Sequence, residues 1–361
     1  MYFDTLPAED PAIRYAQSPA TDPVARFSGR FESSLTGLLS QLGISTDSQA
    51  LVFSKGSFQG AKILPRNPRA LYFNDEVVVT AIPGSNSIEL AATDPRQGVI
   101  FYTLEGSKLT RRGECLTCHQ GAATLGVPGI FVGSVFPNAA GVPSRTGAIV
   151  ADHRTAFEDR WGGWYVSGTH GDQRHRGNAI APDPAEPDAL ETEGTQNLMS
   201  LAHKFDTAKY LTPHSDIVAL LTLEHQTQMI NRITCLGWRE RVAGSVNDSE
   251  INAFVAYLTF ADEPRLREPV RGASTFAATF PKRGPRDARG RSLRDFDLTM
   301  RLFRYPVSYL IYSAQFQALP TALRQRIYAR VCQVLTGVND AALEILRDTV
   351  SDFPCPESMN P

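Results

Sequence analysis

The N-terminal half of the chain consists of short apolar runs separated by turn residues. Turns are indicated at Asn74-Asp75 and at 83–86, and β-branched or aromatic residues dominate the runs around them. This pattern predicts antiparallel strands that follow one another along the chain. The runs are 50–53, 70–73, 76–82, 87–92 and 98–104, with further strand candidates at 129–136 and 162–168.

Helical periodicity appears once before these strands and dominates the chain after about residue 195. Apolar residues spaced three and four apart predict one helix over 24–42, ended by Gly43. In the second half, Asp248, Ser249 and Asn339 are residue types that cap helix N-termini. The helices predicted there are 215–235, 250–261, 321–335 and 341–350.

These patterns predict the α+β fold class, with a β-rich N-terminal part and an α-helical C-terminal part. We divide the chain into an irregular arm (1–22), a helix plus β-rich region (23–180) and an α-helical region (195–361). Between the last two regions, residues 181–194 are acidic and rich in proline, which predicts an exposed loop.

Composition argues against two classes of partner. The chain has 36 Lys and Arg against 38 Asp and Glu, a formal net charge of −2. It therefore lacks the excess positive charge that attracts nucleic acids or anionic membranes. No stretch of 18 apolar residues occurs, so we expect no membrane span.

Two cysteines and a histidine lie close together at Cys115, Cys118 and His119. The spacing CxxCH is typical of covalent haem c attachment. It predicts that Cys115 and Cys118 form thioethers to the two haem vinyl groups and that His119 is the proximal iron ligand. The competing interpretation is half of a zinc ribbon, which needs a second Cys/His pair at ligand spacing. The sequence has no such pair, and its single CxxCH also argues against multihaem and di-haem designs.

Haem is normally attached to CxxCH outside the cytoplasm, so we predict a periplasmic or secreted protein. The first ten residues lack a basic segment followed by an apolar one, and we infer that a leader was removed or replaced. In an oxidising compartment Cys332 and Cys355 could form a disulfide across a predicted helix. Cys235 would then be a buried free thiol.

The sixth iron ligand decides between electron transfer and chemistry, because a strong distal ligand fills the position where a substrate would bind. Methionine is the usual ligand of small c-type cytochromes, although a methionine in a helix is more often core packing. The candidates are Met199, Met229, Met300 and Met359.

His170 and His175 lie in a glycine-rich polar segment, 168–178, together with Arg174 and Arg176. In one interpretation either histidine is a distal ligand, or the histidines act as acid–base groups with a neighbouring arginine as the cationic stabiliser. In the alternative, the segment is a solvated turn whose histidines cap backbone groups.

His225 is a second distal candidate. It stands between Leu221 and Met229 on one stripe of a helix, and Glu224 and Gln228 on the adjacent stripe could orient it. The alternative is a core histidine whose nitrogens are satisfied by protein groups. The remaining histidines are expected to be peripheral: His153, His203 and His214.

The segment 265–294 holds nine Lys or Arg against two Asp or Glu. Arg291 and Arg294, near its end, could contact the haem propionates, since arginine forms paired bonds to carboxylates. The alternative is a solvated basic loop or a docking face for an acidic redox partner.

The CxxCH motif makes the chain resemble c-type cytochromes, although strands precede the motif and the small cytochrome domain is all-helical. The wider set of phrases resembles a group of large secreted bacterial proteins with a single haem c. These phrases are ALYFNDEVVV, CLTCHQG, RWGGWYVSGTHGDQRHRGN, LEHQTQMINRIT and GRSLRDFDL with RYPVSYLIYS, and they span most of 50–335. The resemblance implies a single haem c and no particular reaction. From the organisation of the chain we expect the two parts to enclose this haem, with the helical C-terminal part closing over it.

Three functions follow from these patterns. The first is a redox enzyme that uses the haem iron on peroxide or another small compound. The second is an electron carrier with a six-coordinate His/His or His/Met iron, and the third is a haem-based redox or gas sensor. About 240 residues follow the motif, more than a carrier needs, which favours the enzyme. We expect a redox partner protein as electron donor or acceptor.

Overall fold

The computed structural model describes residues 19–144, 147–183, 185–186 and 188–355. It confirms the five consecutive strands and pairs each with the next in antiparallel fashion. They are β1 (Ala50–Val52), β2 (Arg69–Phe73), β3 (Val77–Ala81), β4 (Ser87–Asp94) and β5 (Gly98–Glu105). With β6 (Lys108–Arg111) and β9 (Trp164–Tyr165) they form a seven-stranded sheet of order β6-β5-β4-β3-β2-β1-β9.

The sheet packs on both faces, because apolar residues occupy neighbouring positions that point to opposite sides. On the first face, which we call the inner face, Phe73 and Phe101 belong to the same hydrophobic cluster as the C-terminal helices. On the opposite face, Tyr72 and Val79 pack with residues of the N-terminal segment such as Leu38.

The single helix expected over 24–42 is wrong. Two short helices occur instead, α1 (Pro23–Arg26) and α2 (Leu35–Gln41). The backbone leaves the helical conformation at Phe27, and the Ser34 side chain starts α2 afresh by accepting a hydrogen bond from the Gly37 amide. Gly43 follows α2 with φ of +64°, a conformation that favours glycine, so the predicted end is confirmed.

The four helices predicted in the second half are confirmed. One cap differs, because the residue that begins the second helix is Asn247 and not Asp248 or Ser249. Its side chain accepts from the Glu250 amide while the Glu250 carboxylate accepts from the Asn247 amide. The remaining helices in chain order are α3 (Leu116–His119), α4 (Ile217–Trp238), α5 (Asp248–Leu258), α6 (Phe276–Thr279), α7 (Ala314–Gln317), α8 (Thr321–Leu335) and α9 (Asp340–Thr349).

Only parts of the two later strand candidates are strands. Within 129–136 the strand is β7 (Val132–Ser134), which pairs with β8 (Ile149–Ala151). Within 162–168 the strand residues are those of β9 and the start of β10 (Gly168–Thr169), which pairs with β11 (Arg271–Gly272).

Helix α4 crosses the inner face of the sheet, and nearly all of its 22 residues are buried. The Gln226 side chain donates to the Asn74 carbonyl in the β2–β3 turn at 2.7 Å, and the Trp238 indole donates to the Arg96 carbonyl in the β4–β5 turn at 2.8 Å. These bonds tie the middle and the C-terminal end of the helix to two turns at the same end of the sheet. The sheet and the C-terminal helices therefore share one core, which agrees with an α+β fold.

The predicted disulfide is confirmed. Cys332 in α8 is bonded to Cys355 after α9, with 5.6 Å between the Cα atoms. Cys235 is a free thiol but only partly buried, so its expected burial is wrong in degree. Among the described residues, no helix is long and apolar enough to cross a membrane.

Candidate functional site

The CxxCH motif lies directly after β6, at the edge of the sheet. A 3₁₀ turn at Gly113–Cys115 runs into α3, which ends at His119. Cys115 and Cys118 are therefore three residues apart on one helical turn, an arrangement that puts both thiols on the same side. Cys118 is exposed and Cys115 is half-buried, so both thiols can be reached by an incoming group.

His119 is held by its Nδ1 atom, which lies 3.0 Å from the carbonyl oxygen of Gly129. A carbonyl only accepts, so Nδ1 carries the proton and Nε2 keeps its lone pair for a ligand or metal. The ring packs 4.7 Å from Phe101 and 5.8 Å from Phe131, between centroids. Burial lowers the pKa of His119, which favours the neutral imidazole that a metal requires.

The segment from His119 to Phe131 is braced by two polar side chains of α4. Gln228 donates to the Ala123 carbonyl at 3.0 Å, and Asn231 donates to the Ile130 carbonyl at 2.8 Å. Any Cβ added to Gly129 would collide with the Asn231 amide, so only glycine lets the backbone come this close. The helix thereby fixes the carbonyl that orients His119.

One end of the inner face is lined by polar, half-buried side chains, which we call the polar strip: Arg69, Thr80, Glu89 and Thr103. The register places it beside the motif. Glu89 pairs with Thr103 and Ala91 pairs with Phe101, so Glu89 and Phe101 lie diagonally on one face. Because Phe101 contacts His119, the polar strip continues the surface on which the imidazole lies.

Glu89 is the hub of the polar strip. Its carboxylate accepts hydrogen bonds from Arg69 at 3.4 Å, Thr80 at 3.3 Å, Ser57 at 3.0 Å and Gln59 at 3.2 Å. Nε of Arg69 is buried and has no hydrogen-bond partner among the residues that the structure describes. Arg69 thus retains donor capacity that its ion pair with Glu89 does not use.

The charges of the polar strip reach the motif. After burial and the Gly129 bond, Arg69 lowers and Glu89 raises the pKa of His119. Burial, followed by Glu114 and Glu89, raises the pKa of Cys115 to about 11. Cys115 is therefore a protonated thiol near neutral pH and is not poised as a free nucleophile.

Sequence reasoning missed the polar strip and the residues around His119. The sequence did contain an indication of the polar strip. Arg69 and Glu89 lie two positions from Leu71 and Ala91 on their strands, so all four side chains are on the inner face. A charged residue at an inward strand position is rare without a partner or a function.

His170 and His175 are brought together, with ring centroids 4.7 Å apart. Both are buried, and they pack against Phe157 and Trp161. Nε2 of His170 accepts from the Asn197 amide at 3.1 Å, so the proton of its neutral form lies on Nδ1. Burial and then the charge of His170 lower the pKa of His175 to about 3, and burial also lowers that of His170.

The structure does not combine these histidines with the expected arginines. Arg174 is exposed between the buried Gln173 and His175, and Arg176 pairs with Asp159 and lies over the Phe136 ring. Successive residues of this segment point to opposite sides, which separates charged and imidazole groups. The predicted acid–base pair of His170 or His175 with Arg174 is therefore not formed. The alternative is correct in part: the histidines are buried and not in a solvated turn, but His170 does cap a backbone group, the Asn197 amide.

His225 is a core histidine with both nitrogens engaged. Its Nδ1 lies 2.9 Å from Nδ1 of His153, and its Nε2 lies 2.7 Å from Oγ of Ser308. This is the alternative arrangement and not that of a ligand whose nitrogen is free for iron. His153 is buried at 1% exposure, so the expectation that it is peripheral is wrong.

The residues expected to orient His225 have other partners. Glu224 pairs with the buried Arg160 at 2.8 Å, and Gln228 bonds to Ala123. Burial raises the pKa of Glu224 to about 7, although Arg160 opposes that shift. Glu224 and Gln228 of α4 thus bond to two different segments. Glu224 holds Arg160, and Gln228 holds the loop that orients His119.

Arg291 and Arg294 pair with carboxylates of the chain itself. Arg291 contacts Asp287 at 2.6 Å and Glu344 at 2.7 Å. Arg294 is buried, pairs with Asp75 and stacks over the Tyr309 ring at 4.2 Å. These partners give both arginines a structural use, in place of the expected contact with propionates.

The methionine candidates divide into surface and core. Met199 and Met300 are about half exposed, and Met229 is fully buried in the shared core. Met359 lies outside the described residues. Within the described ranges, no group of three or more His, Cys, Asp or Glu side chains is arranged to hold a metal ion, so the zinc-ribbon alternative gains no further ligands.

Comparison of the chain with protein-family models, with curated proteins and with solved structures finds no match. Function must therefore be inferred from the motif and from the residues around it.

Proposed function

We propose that this chain is a periplasmic or secreted mono-haem c protein, with the haem held by Cys115 and Cys118 and its iron bound by His119. The observation that carries the proposal is the Nδ1–Gly129 hydrogen bond, which leaves Nε2 of His119 free beside two accessible thiols. The surroundings fit this group. Aromatic rings flank the imidazole, and a cation with an unused buried donor lies on the adjoining strip.

Attachment requires only the two thiols and the two vinyl groups. Each addition would break one S–H bond, join the sulfur to one vinyl carbon and place the hydrogen on the other, so no oxidant would be consumed. The raised pKa of Cys115 keeps that thiol protonated until the reaction. Placement of both cysteines on one helical turn sets the distance between the two bonds.

The bound group supplies a redox-active iron whose potential depends on its axial ligands and its surroundings. The chain supplies the orientation of the proximal ligand. Gly129 fixes the tautomer of His119, and Asn231 and Gln228 fix the loop that carries Gly129. An imidazole that donates to a carbonyl is also a stronger donor to iron.

We further propose that the protein is a redox enzyme with an exchangeable sixth iron position, acting on peroxide or another small compound. The positions of the other candidate ligands support this. His225 is bonded to His153 and Ser308, His170 and His175 pack around Phe157, and Met229 fills the core. The recorded partners of these side chains differ from those of His119, which are Phe101, Gly129 and Phe131.

The second candidate function is electron transfer to a redox partner protein. The exposure of Cys118 favours it, because a haem attached there has an edge near the surface. A partner donor or acceptor is needed under both functions.

Optical spectra of the purified protein, ferric and ferrous, with and without carbon monoxide, test these proposals. We expect haem c bands and a ferrous form that binds carbon monoxide. A low-spin ferrous form that does not bind carbon monoxide would contradict the enzyme function and favour electron transfer. Absence of haem bands after expression with the maturation machinery would overturn the haem proposal. Cys115→Ala with Cys118→Ala should lose covalent haem, whereas Cys235→Ala should keep it.

A further inference from the structure

The hydrogen bonds of Glu89 come from four residues in three separate parts of the chain. Ser57 and Gln59 belong to the loop after β1, Arg69 to β2 and Thr80 to β3. A carboxylate that accepts from so many donors is held in one orientation, and it holds its partners in turn. The guanidinium of Arg69 is therefore fixed on the inner face of the sheet.

The position of this pair relative to the motif follows from the strand register. Glu89 lies diagonally across from Phe101, whose ring contacts His119 at 4.7 Å. Arg69 joins the same face through its bond to Glu89, and its side chain is 16% exposed. The pair thus lies on the same face as the ring that packs against the proximal histidine.

We propose that Arg69 is the cation that receives a haem propionate, with Glu89 as the residue that positions it; this inference rests on the proposed haem c function. Haem carries two carboxylates that must either face water or meet a donor. Arg69 fits this role because its buried Nε has no partner within the described part of the chain and because it is joined to Glu89 by a long bond of 3.4 Å. An arginine with unused donors is the side chain best suited to a carboxylate.

The arginines of the basic segment are less suitable for this role. Arg291 already contacts two carboxylates, Asp287 and Glu344. Arg294 contacts Asp75 and lies between aromatic rings of Phe280 and Tyr309. A propionate at Arg291 would have to displace a carboxylate of the protein. Arg294, like Arg69, has buried guanidinium nitrogens without a partner among the described residues, but its side chain is only 5% exposed and is enclosed by the two rings. Arg69 is more exposed, and it lies on the face that carries Phe101.

The experiment measures the midpoint potential of the haem-loaded protein against pH in Arg69→Gln, Glu89→Gln and the double variant. Arg66→Gln is the matched control, because Arg66 is an exposed arginine three residues earlier. Loss of the Arg69 charge should shift the potential to more negative values, since a nearby cation disfavours the ferric form. Glu89→Gln should shift it in the opposite direction, and Arg66→Gln should leave it unchanged.

The double variant distinguishes direct contact between Arg69 and a propionate from a long-range electrostatic effect of the two charges. If Arg69 binds a propionate, the pH at which that propionate titrates should rise in Arg69→Gln and remain raised in the double variant. Arg69→Lys should restore much of the potential because it keeps the charge. Haem loading should stay normal throughout, since the thioethers hold the group covalently.

Three results would overturn the inference. In the first, haem-loaded Arg69→Gln has the potential and propionate titration of the wild type, which leaves the haem proposal intact. In the second, the wild type itself takes up no haem, which removes both proposals together. A propionate titration that returns to the wild-type pH in the double variant would also count against contact.

Discussion

His153 and His225 share a hydrogen bond in the core, with 2.9 Å between their Nδ1 atoms. One proton lies between these two nitrogens, so the pair is neutral, and Ser308 closes the chain at Nε2 of His225. Burial holds the pKa of both histidines below the ordinary value, that of His225 at about 3. The pair lies where the loop after β8, α4 and the segment after residue 304 meet.

The first prediction concerns stability against pH. Histidines whose pKa is lowered on folding take up protons more readily when unfolded, so they make the protein less stable as pH falls below about 6.5. For His175 this loss of stability continues as the pH falls towards its folded pKa of about 3. In His175→Gln, the slope of the unfolding free energy against pH should fall by about 1.4 kcal/mol per pH unit between pH 6 and 4. Urea unfolding at several pH values measures it.

The contribution of Glu224 to stability changes with pH in the opposite direction to that of His175. The slope of the wild type is therefore compared with the slope of a variant that lacks only His175. Burial raises its pKa to about 7, so its contribution to stability is lost as pH rises through the interval from its unfolded value. A His203→Gln control, at an exposed histidine, should leave the slope unchanged. An equal slope in the wild type and in His175→Gln would contradict the prediction.

The second prediction concerns the brace at Gly129. Replacement by alanine would place a Cβ against the Asn231 amide, and we expect a loss of about 1–3 kcal/mol in unfolding free energy from overpacking. The matched control is Gly113→Ala, where no atom lies within 4 Å of the added Cβ. Chemical denaturation of both variants measures the difference.

A double-mutant cycle sharpens this test. Gly129→Ala combined with Asn231→Ala should lose less stability than the sum of the two single variants, because the smaller side chain removes the collision. Strict additivity would mean that the two residues do not oppose each other in solution.

The third prediction concerns the disulfide. Cys332 and Cys355 close a loop with a sequence separation of 23, and Cys332→Ser with Cys355→Ser should lower stability by about 2–4 kcal/mol. The haem spectrum should not change, because both cysteines lie in the C-terminal helical region. Cys235→Ser, at the free thiol, is the control. A changed spectrum in the double variant would show that the bridge influences the haem site.

The fourth prediction concerns His170 and His175. Their contacts are with each other, Phe157 and Trp161, so Gln at either position should leave the haem spectrum and its ligand binding unchanged. His119→Gln should alter both. A change in carbon monoxide binding in His170→Gln or His175→Gln would restore the distal role that the segment 168–178 first indicated.

The local elements and the attachment motif follow from the amino-acid sequence. Runs of β-branched and aromatic residues identified β1 to β5, with turn residues at Asn74-Asp75 and at 83–86 between them. Helical spacing identified α4, α8 and α9 in the same way. Cys115, Cys118 and His119 could be identified because the motif lies in one contiguous stretch. The helix expected over 24–42 failed because a break in backbone conformation at Phe27 leaves little trace in the apolar pattern.

The tertiary structure alone decided which polar residues meet. Arg69 and Glu89 lie twenty positions apart and Gly129 ten positions beyond His119, and only strand register and the brace from α4 bring them to one surface. The same holds for His153 and His225, which are 72 residues apart. Periodicity reports which side of an element is buried, but the partner of a buried polar group depends on how elements pack, and that is a property of the whole chain.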